Sequence, residues 1–287
     1  MMSRFHRRPC VFVSQVELIV GDLDRSLAFY QTLLGFRLLQ KTDRRAVLTA
    51  DGNTSLLSLE QPEDVIPKPP RTTGLYHFAL LMPERTDLAL VLKHLIDRGY
   101  PLQGASDHLV SEAIYLADPD GNGIELYADR PHTEWSWQNG EVVMATRALD
   151  LHGLLAEAQD KTWQGLPAET LIGHIHLHVA DLEASGRFYE EGLGFDMVAH
   201  YGSQAMFLSS CGYHHHIGIN TWNGVGVPTP PPNSVGLKTF TLLLPDSAAQ
   251  KQILDRLSRM GARFETHDGR LTTRDPAGNR IRLDVPS

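Results

Sequence analysis

The chain has 287 residues, 42% apolar and 21% charged, the balance of a soluble globular protein with enough length for two ordinary domains. Its net charge of −8 disfavours nucleic acid or an acidic membrane surface as partner, because phosphate binding needs clustered cations. No stretch approaches the roughly 18–20 apolar residues of a bilayer span, and no apolar signal core opens the chain. Two cysteines, Cys10 and Cys211, are too few for a disulfide framework, so a reducing, cytoplasmic location is the default expectation. The basic run Arg4-Phe5-His6-Arg7-Arg8 reads as a solvated N-terminal tail.

In chain order, the strand-like Gln15-Val16-Glu17-Leu18-Ile19-Val20 leads to a helix over Arg25–Leu34. Asp22 or Asp24 is placed to cap it, and Gly35 stands where a helix end favours a left-handed residue. A second unit opens at Gly74-Leu75-Tyr76-His77-Phe78 and continues into an amphipathic helix that ends at Gly99. Short strands follow, finishing Asp118-Pro119-Asp120-Gly121-Asn122-Gly123-Ile124-Glu125-Leu126. After a connection over about 130–171, with a short helix expected near 148–156, the pattern returns. His174-Ile175-His176-Leu177-His178 matches the first opening, and Gly194-Phe195 matches Gly35-Phe36. Gly236-Leu237-Lys238-Thr239-Phe240 matches the second opening, and Asp275-Pro276-Ala277-Gly278-Asn279-Arg280-Ile281-Arg282-Leu283 repeats its finish. The chain is therefore an internal duplication of class α+β. It comprises an N-terminal half over 10–130, a linker over 131–171 and a C-terminal half over 172–287, each half holding two strand–helix–strands modules.

The places where the copies differ point to chemistry. Alternate residues of a strand share a face, so His174, His176 and His178 lie together, as do Gly123, Glu125 and Tyr127. Laid over one another, the modules set Gln15 against His174, Thr239 against His77 and Arg282 against Glu125, each near a strand end. The metal-binding types thus gather in modules two and three. Two imidazoles and one carboxylate make the ligand set that leaves open positions on non-haem Fe(II), and Mn(II) accepts the same set. Singly, each of these residues reads as an ordinary polar strand residue; it is their joint placement that argues for a metal.

These motifs resemble the vicinal oxygen chelate superfamily, which includes glyoxalase I, fosfomycin-resistance proteins and extradiol ring-cleaving dioxygenases. The likeness covers about 14–285 and is strongest to bacterial catechol 2,3-dioxygenase-like proteins. It implies four βαβββ modules paired into two curved mixed-sheet half-barrels, with His77, Glu125 and His174 as Fe(II) ligands. It also implies a small aromatic diol and O2 as substrates. Tyr115, ten positions before Glu125, corresponds to the family's active-site tyrosine, and Tyr213-His214-His215-His216-Ile217-Gly218-Ile219 to its catalytic-histidine strand. His215 takes the acid/base position, although a one-residue slip would present His216 instead. His108 falls in the segment that resembles the substrate pocket.

In most extradiol enzymes modules three and four hold the iron, whereas here the ligands require modules two and three to face each other. Two rivals carry distinct expectations. A glyoxalase-like isomerase or thiol transferase would use a fourth protein ligand, and a bleomycin-resistance-like protein would bind a ligand without turnover. The sequence leaves the preferred catechol open, and a homo-oligomer is compatible with it.

Overall fold

The structure, a computed structural model, describes residues 3–267 and 269–286. Each odd module begins with a long strand, Phe12–Ile19 or Leu171–His178, followed by a short α-helix, Leu23–Ala28 or Leu182–Arg187. Asp22 and Asp181 cap these helices by accepting the backbone N–H of Arg25 and Ala184. Each helix then widens into a π-helical turn, Phe29–Leu33 or Phe188–Leu193. Gly35 and Gly194 end these segments at φ of +79° and +84°. A Cβ at Gly35 would lie 2.5 Å from the Cα of Gly165, so the linker passes against the first module only because that side chain is absent.

The repeated Asp-Pro-x-Gly-Asn motif ties odd modules to even ones. Asp118 accepts the Tyr30 O–H at 2.9 Å and both the side-chain and backbone N–H of Asn122, at 2.9 and 2.8 Å. Asp275 does the same for Tyr189 at 3.0 Å and for Asn279 at 2.9 and 2.8 Å. Each buried carboxyl is thereby satisfied, and removing either partner would strand a buried polar group. The strongest sequence repeat is therefore a structural clasp. The chemistry lies beside it.

Two sheets result. In the nine-stranded sheet, Gly74–Leu81 of module two runs antiparallel to Leu171–His178 of module three, and Gly123–Asp129 flanks the former in parallel. The eight-stranded sheet repeats the arrangement, with Phe12–Ile19 of module one against Gly236–Leu243 of module four and Arg280–Asp284 alongside. The expected pairing of modules two and three is thus present. Ile175, Leu177 and Val179 join one apolar cluster with Val16, Leu18, Phe240 and Leu242 of the other sheet, which leaves the histidine face turned away from that core.

In the linker, Asp150 caps the helix Leu151–Ala156, close to where it was expected. The linker also contributes a hairpin, Trp137–Gln138 with Glu141–Val142, and an edge strand, Arg147–Ala148, paired to Gly104–Asp107. Composition did not announce these two-residue strands.

One expectation is overturned at the N-terminus, and the ground for another is removed. The segment around Arg4–Arg8 is not a solvated tail. Phe5 and His6 are buried, the Phe5 ring packs on Trp135 and Tyr213, and the His6 Nε2 lies 2.8 Å from the Gly173 carbonyl. Its aromatic residues find an apolar seat, while the flanking arginines keep their charges in water. Cys10 and Cys211 are joined by a disulfide across 201 residues, because this docking brings their Cα atoms to 5.6 Å. Cysteine counting therefore gives no support to a reducing compartment. Among the described residues no helix is long and apolar enough to cross a membrane.

Candidate metal centre and active-site cavity

Strand register assembles the centre. Across three neighbouring strands His174, Ala79 and Glu125 stand side by side, and His176, His77 and Gly123 form the next row. Ala79 contributes only a methyl group, which leaves space between His174 and Glu125 on that face. Gly123 is required beside His77, since a Cβ there would lie 2.1 Å from the Tyr76 carbonyl oxygen. The three residues sit within their strands, not near strand ends as the sequence suggested.

His77 Nε2 lies 3.0 Å from Glu125 Oε2, His174 Nε2 lies 3.1 Å from the same oxygen, and the two nitrogens are 3.4 Å apart. Donors about 2.1 Å from one ion, at angles between 90° and tetrahedral, would be separated by ~3.0–3.4 Å. The trio therefore fits a single divalent cation. Its electrostatics agree. Burial drives the His174 imidazole down to about 4, which keeps it neutral. Burial by itself would raise the Glu125 carboxyl, but His174 and His77 hold it well below the usual carboxylate range. Neutral imidazole and ionised carboxylate are the cation-binding forms. Among the described residues these three form the one group of metal-ligating side chains whose ligand atoms all lie within 4.8 Å of one another.

A cavity of about 830 Å³ opens over the trio and is lined by His77, Glu125, Tyr115, His108, His176 and His215, among others. That volume suits a small organic ligand. Tyr115 pairs directly with Glu125 across the strands. Its hydroxyl lies 2.7 Å from His108 Nε2, and His108 Nδ1 lies 2.8 Å from the Ala145 carbonyl. The carbonyl can only accept, so Nδ1 carries the proton and Nε2 accepts from the tyrosine. Burial, with the Glu125 charge adding to it, pushes the Tyr115 phenol well above its ordinary value.

The register question between the adjacent histidines has a clear geometric answer. His215 lines the cavity, with its ring centroid 4.1 Å from that of His174 and 5.0 Å from that of Phe207. His216 faces the other way, within 3.1 Å of the Phe5 carbonyl, and accepts the Ser210 N–H at 3.2 Å. Burial pushes both imidazoles well below their ordinary value. His176 lines the cavity but accepts from Asn220 Nδ2 at 2.9 Å, while His178 approaches Asn220 Oδ1 at 2.8 Å; neither belongs to the trio.

Sequence reasoning missed the linker's part in the site. Gln138, Asn139 and residues 141–146 form one wall of the cavity. It also missed Asp129, whose Oδ1 lies 2.9 Å from His214 Nε2. The alternation Glu125-x-Tyr127-x-Asp129 was the available signal for it.

The family model described as Glyoxalase/Bleomycin resistance protein/Dioxygenase superfamily matches residues 13–126 and 171–283. A Bacillus subtilis (strain 168) protein named catechol-2,3-dioxygenase is 46% identical over 267 residues, which cover 92% of this chain and 93% of that protein. A Rhodococcus globerulus protein named biphenyl-2,3-diol 1,2-dioxygenase 3 is 29% identical over 129 residues, covering 43% of this chain and 68% of its own. The crystal structure of glyoxalase I from Zea mays superposes with a TM-score of 0.59 at 17% identity, covering 95% of this chain and 92% of that one, which speaks to the fold alone. With both halves matched, the chain belongs to the glyoxalase/bleomycin resistance protein/dioxygenase superfamily.

Proposed function

We propose that this protein is an Fe(II)-dependent extradiol dioxygenase, which opens a catechol-type ring beside its hydroxyl pair and incorporates both atoms of O2. The observation that carries this reading is the convergence of His77, Glu125 and His174 at the wall of one cavity, which His77 and Glu125 line together with His215 and the Tyr115–His108 pair. The named activity of the Bacillus subtilis relative supports it over most of the chain. Ferrous iron held by the trio would supply Lewis acidity toward catechol hydroxyls and a common centre for diol and O2.

The chain's own residues supply the rest. His215, neutral in its buried setting, takes a proton from a catechol hydroxyl and returns it as the ring opens. Tyr115 directs its proton to His108, so its oxygen can accept from a substrate hydroxyl and orient the diol. The cavity wall over residues 141–146 and the rings of Phe207 and Trp222 shield the reacting face from bulk water.

The test is anaerobic loading with Fe(II), and in parallel with Mn(II), followed by catechols and ¹⁸O₂. A yellow ring-opened semialdehyde carrying two labelled oxygens is expected. Iron-loaded protein that consumes no oxygen with any of a panel of catechols would overturn the proposal. His215→Ala is expected to retain the metal and lose roughly 10²–10⁴-fold in kcat.

A further inference from the structure

His215 is the last member of a hydrogen-bonded chain that begins on the strand carrying Glu125. We infer that Asp129 and His214 are positioning residues that fix His215 in the tautomer with a bare Nε2, ready to take a proton. The inference rests on the reading of His215 as the base of the proposed reaction.

Strand alternation places Glu125, Tyr127 and Asp129 on one face of Gly123–Asp129. Asp129 Oδ1 lies 2.9 Å from His214 Nε2 and accepts the Tyr213 O–H at 3.2 Å. The Tyr127 and Tyr213 hydroxyls are 2.6 Å apart; with Tyr213 donating to Asp129, Tyr127 donates to Tyr213. His214 Nδ1 in turn lies 2.9 Å from His215 Nδ1.

Donor counting then fixes the protons. A carboxylate offers only lone pairs, so the facing nitrogen of His214 carries a hydrogen. A neutral imidazole has one N–H, so His214 Nδ1 is an acceptor, and His215 Nδ1 must be the donor to it. His215 Nε2 is left unprotonated on a ring that lines the cavity beside His174. The opposite tautomer would set two lone pairs against each other at 2.9 Å.

The loop itself is held from behind, by His216 against the Phe5 carbonyl and by the Cys10–Cys211 bridge. Backbone anchoring fixes where the His215 ring lies, but it cannot choose which nitrogen is protonated. That choice falls to Asp129 through His214.

The experiment is a long-range ¹H–¹⁵N correlation spectrum of the full ¹⁵N-labelled chain, metal-free and Zn(II)-loaded, with His215 assigned by its loss in His215→Gln. The expected spectrum shows a non-protonated Nε2 and a protonated Nδ1. Asp129→Asn, whose amide can donate to His214, is expected to populate the Nε2–H form. In the iron-loaded enzyme it should lower kcat by about 10²-fold, with KM and iron content within about twofold. His214→Phe should give mixed tautomers and a similar loss, and Asp129→Glu should restore much of the Asn deficit. A wild-type His215 carrying its proton on Nε2 overturns the inference, even if no variant folds. So does an Asp129→Asn protein with unchanged tautomer and kcat. The expected tautomer in a protein without dioxygenase turnover would retain the relay and remove the proposed reaction.

Discussion

The two sheets are built alike, and they answer the same geometric problem in opposite ways. In the nine-stranded sheet His174, Ala79 and Glu125 stand in one row, with His77 and His176 in the next. In the eight-stranded sheet the same rows hold Gln15, Thr241 and Arg282, then Glu17 and Thr239. Where the first sheet gathers donors that fit a divalent ion, the second carries its own cation. Arg282 Nη2 lies 2.5 Å from the buried carboxylate of Glu17, with Arg45 a more distant 3.7 Å from it. Gln15 is occupied by Ser58 at 3.0 Å. A curved β-sheet brings side chains from three strands together in either case. Whether that point can hold a cation or carries an internal ion pair turns on three exchanges, Gln15 for His174, Thr239 for His77 and Arg282 for Glu125.

The sharpest way to break this comparison is to remove the donors on one side and their counterparts on the other. Alanine at His77, Glu125 or His174 is expected to reduce metal affinity by more than the roughly 10–100-fold that losing an outer partner costs. Gln15→Ala and Thr239→Ala should leave metal content unchanged. Elemental analysis after anaerobic loading reads this directly, and equal losses on both sides would end the distinction between the sheets.

A smaller effect tests the other sheet. Arg282→Met leaves the Glu17 carboxylate buried without its near partner, which should destabilise the fold by about 3 kcal/mol while metal binding persists. Urea denaturation measures the loss, and the paired change Glu17→Gln with Arg282→Met should recover most of it. If the single variant is as stable as the parent, the ion pair is not what fills that sheet.

The mildest distinction is in pH dependence. Burial lowers His6, His174 and His178 to about 4, against an unfolded value near 6.5. Between those values the unfolded chain binds more protons than the fold, so stability is complete above pH 6.5 and declines as pH falls toward 4. Each group contributes at most about 1.4 kcal/mol per pH unit in that window. All three belong to or pack on the nine-stranded sheet. Hydrogen-exchange protection factors of the metal-free protein should therefore be lower at pH 5 than at pH 7, and should fall in that sheet first. A uniform fall would show that the histidines are not the cause.

Much of this was legible in the residues because duplication supplies its own alignment. The Phe-Tyr pairs and the Asp-Pro-x-Gly-Asn turns recur because each Tyr–Asp clasp must satisfy a buried carboxyl in the same way. Against that repeated frame, the exchanges at 15/174, 77/239 and 125/282 stood out as departures. The N-terminal segment has no internal copy, and its arginines suggested solvent while Phe5 and His6 found a buried seat. The linker was equally unreadable in detail, because its two-residue strands are too short to carry periodicity.

The sequence by itself determined the four modules, the α+β class and the residue types available for metal chemistry, since these follow from repeat and alternation along one strand. Tertiary structure decided what strand-local patterns cannot hold. It set the cross-strand register that gives the trio separations of 3.0 to 3.4 Å, and it turned His215 toward the cavity and His216 toward Phe5. It also placed Asp129 at the end of the His214–His215 chain. Each of these depends on contacts between segments about 50 or more residues apart, where only the closed fold sets the distance.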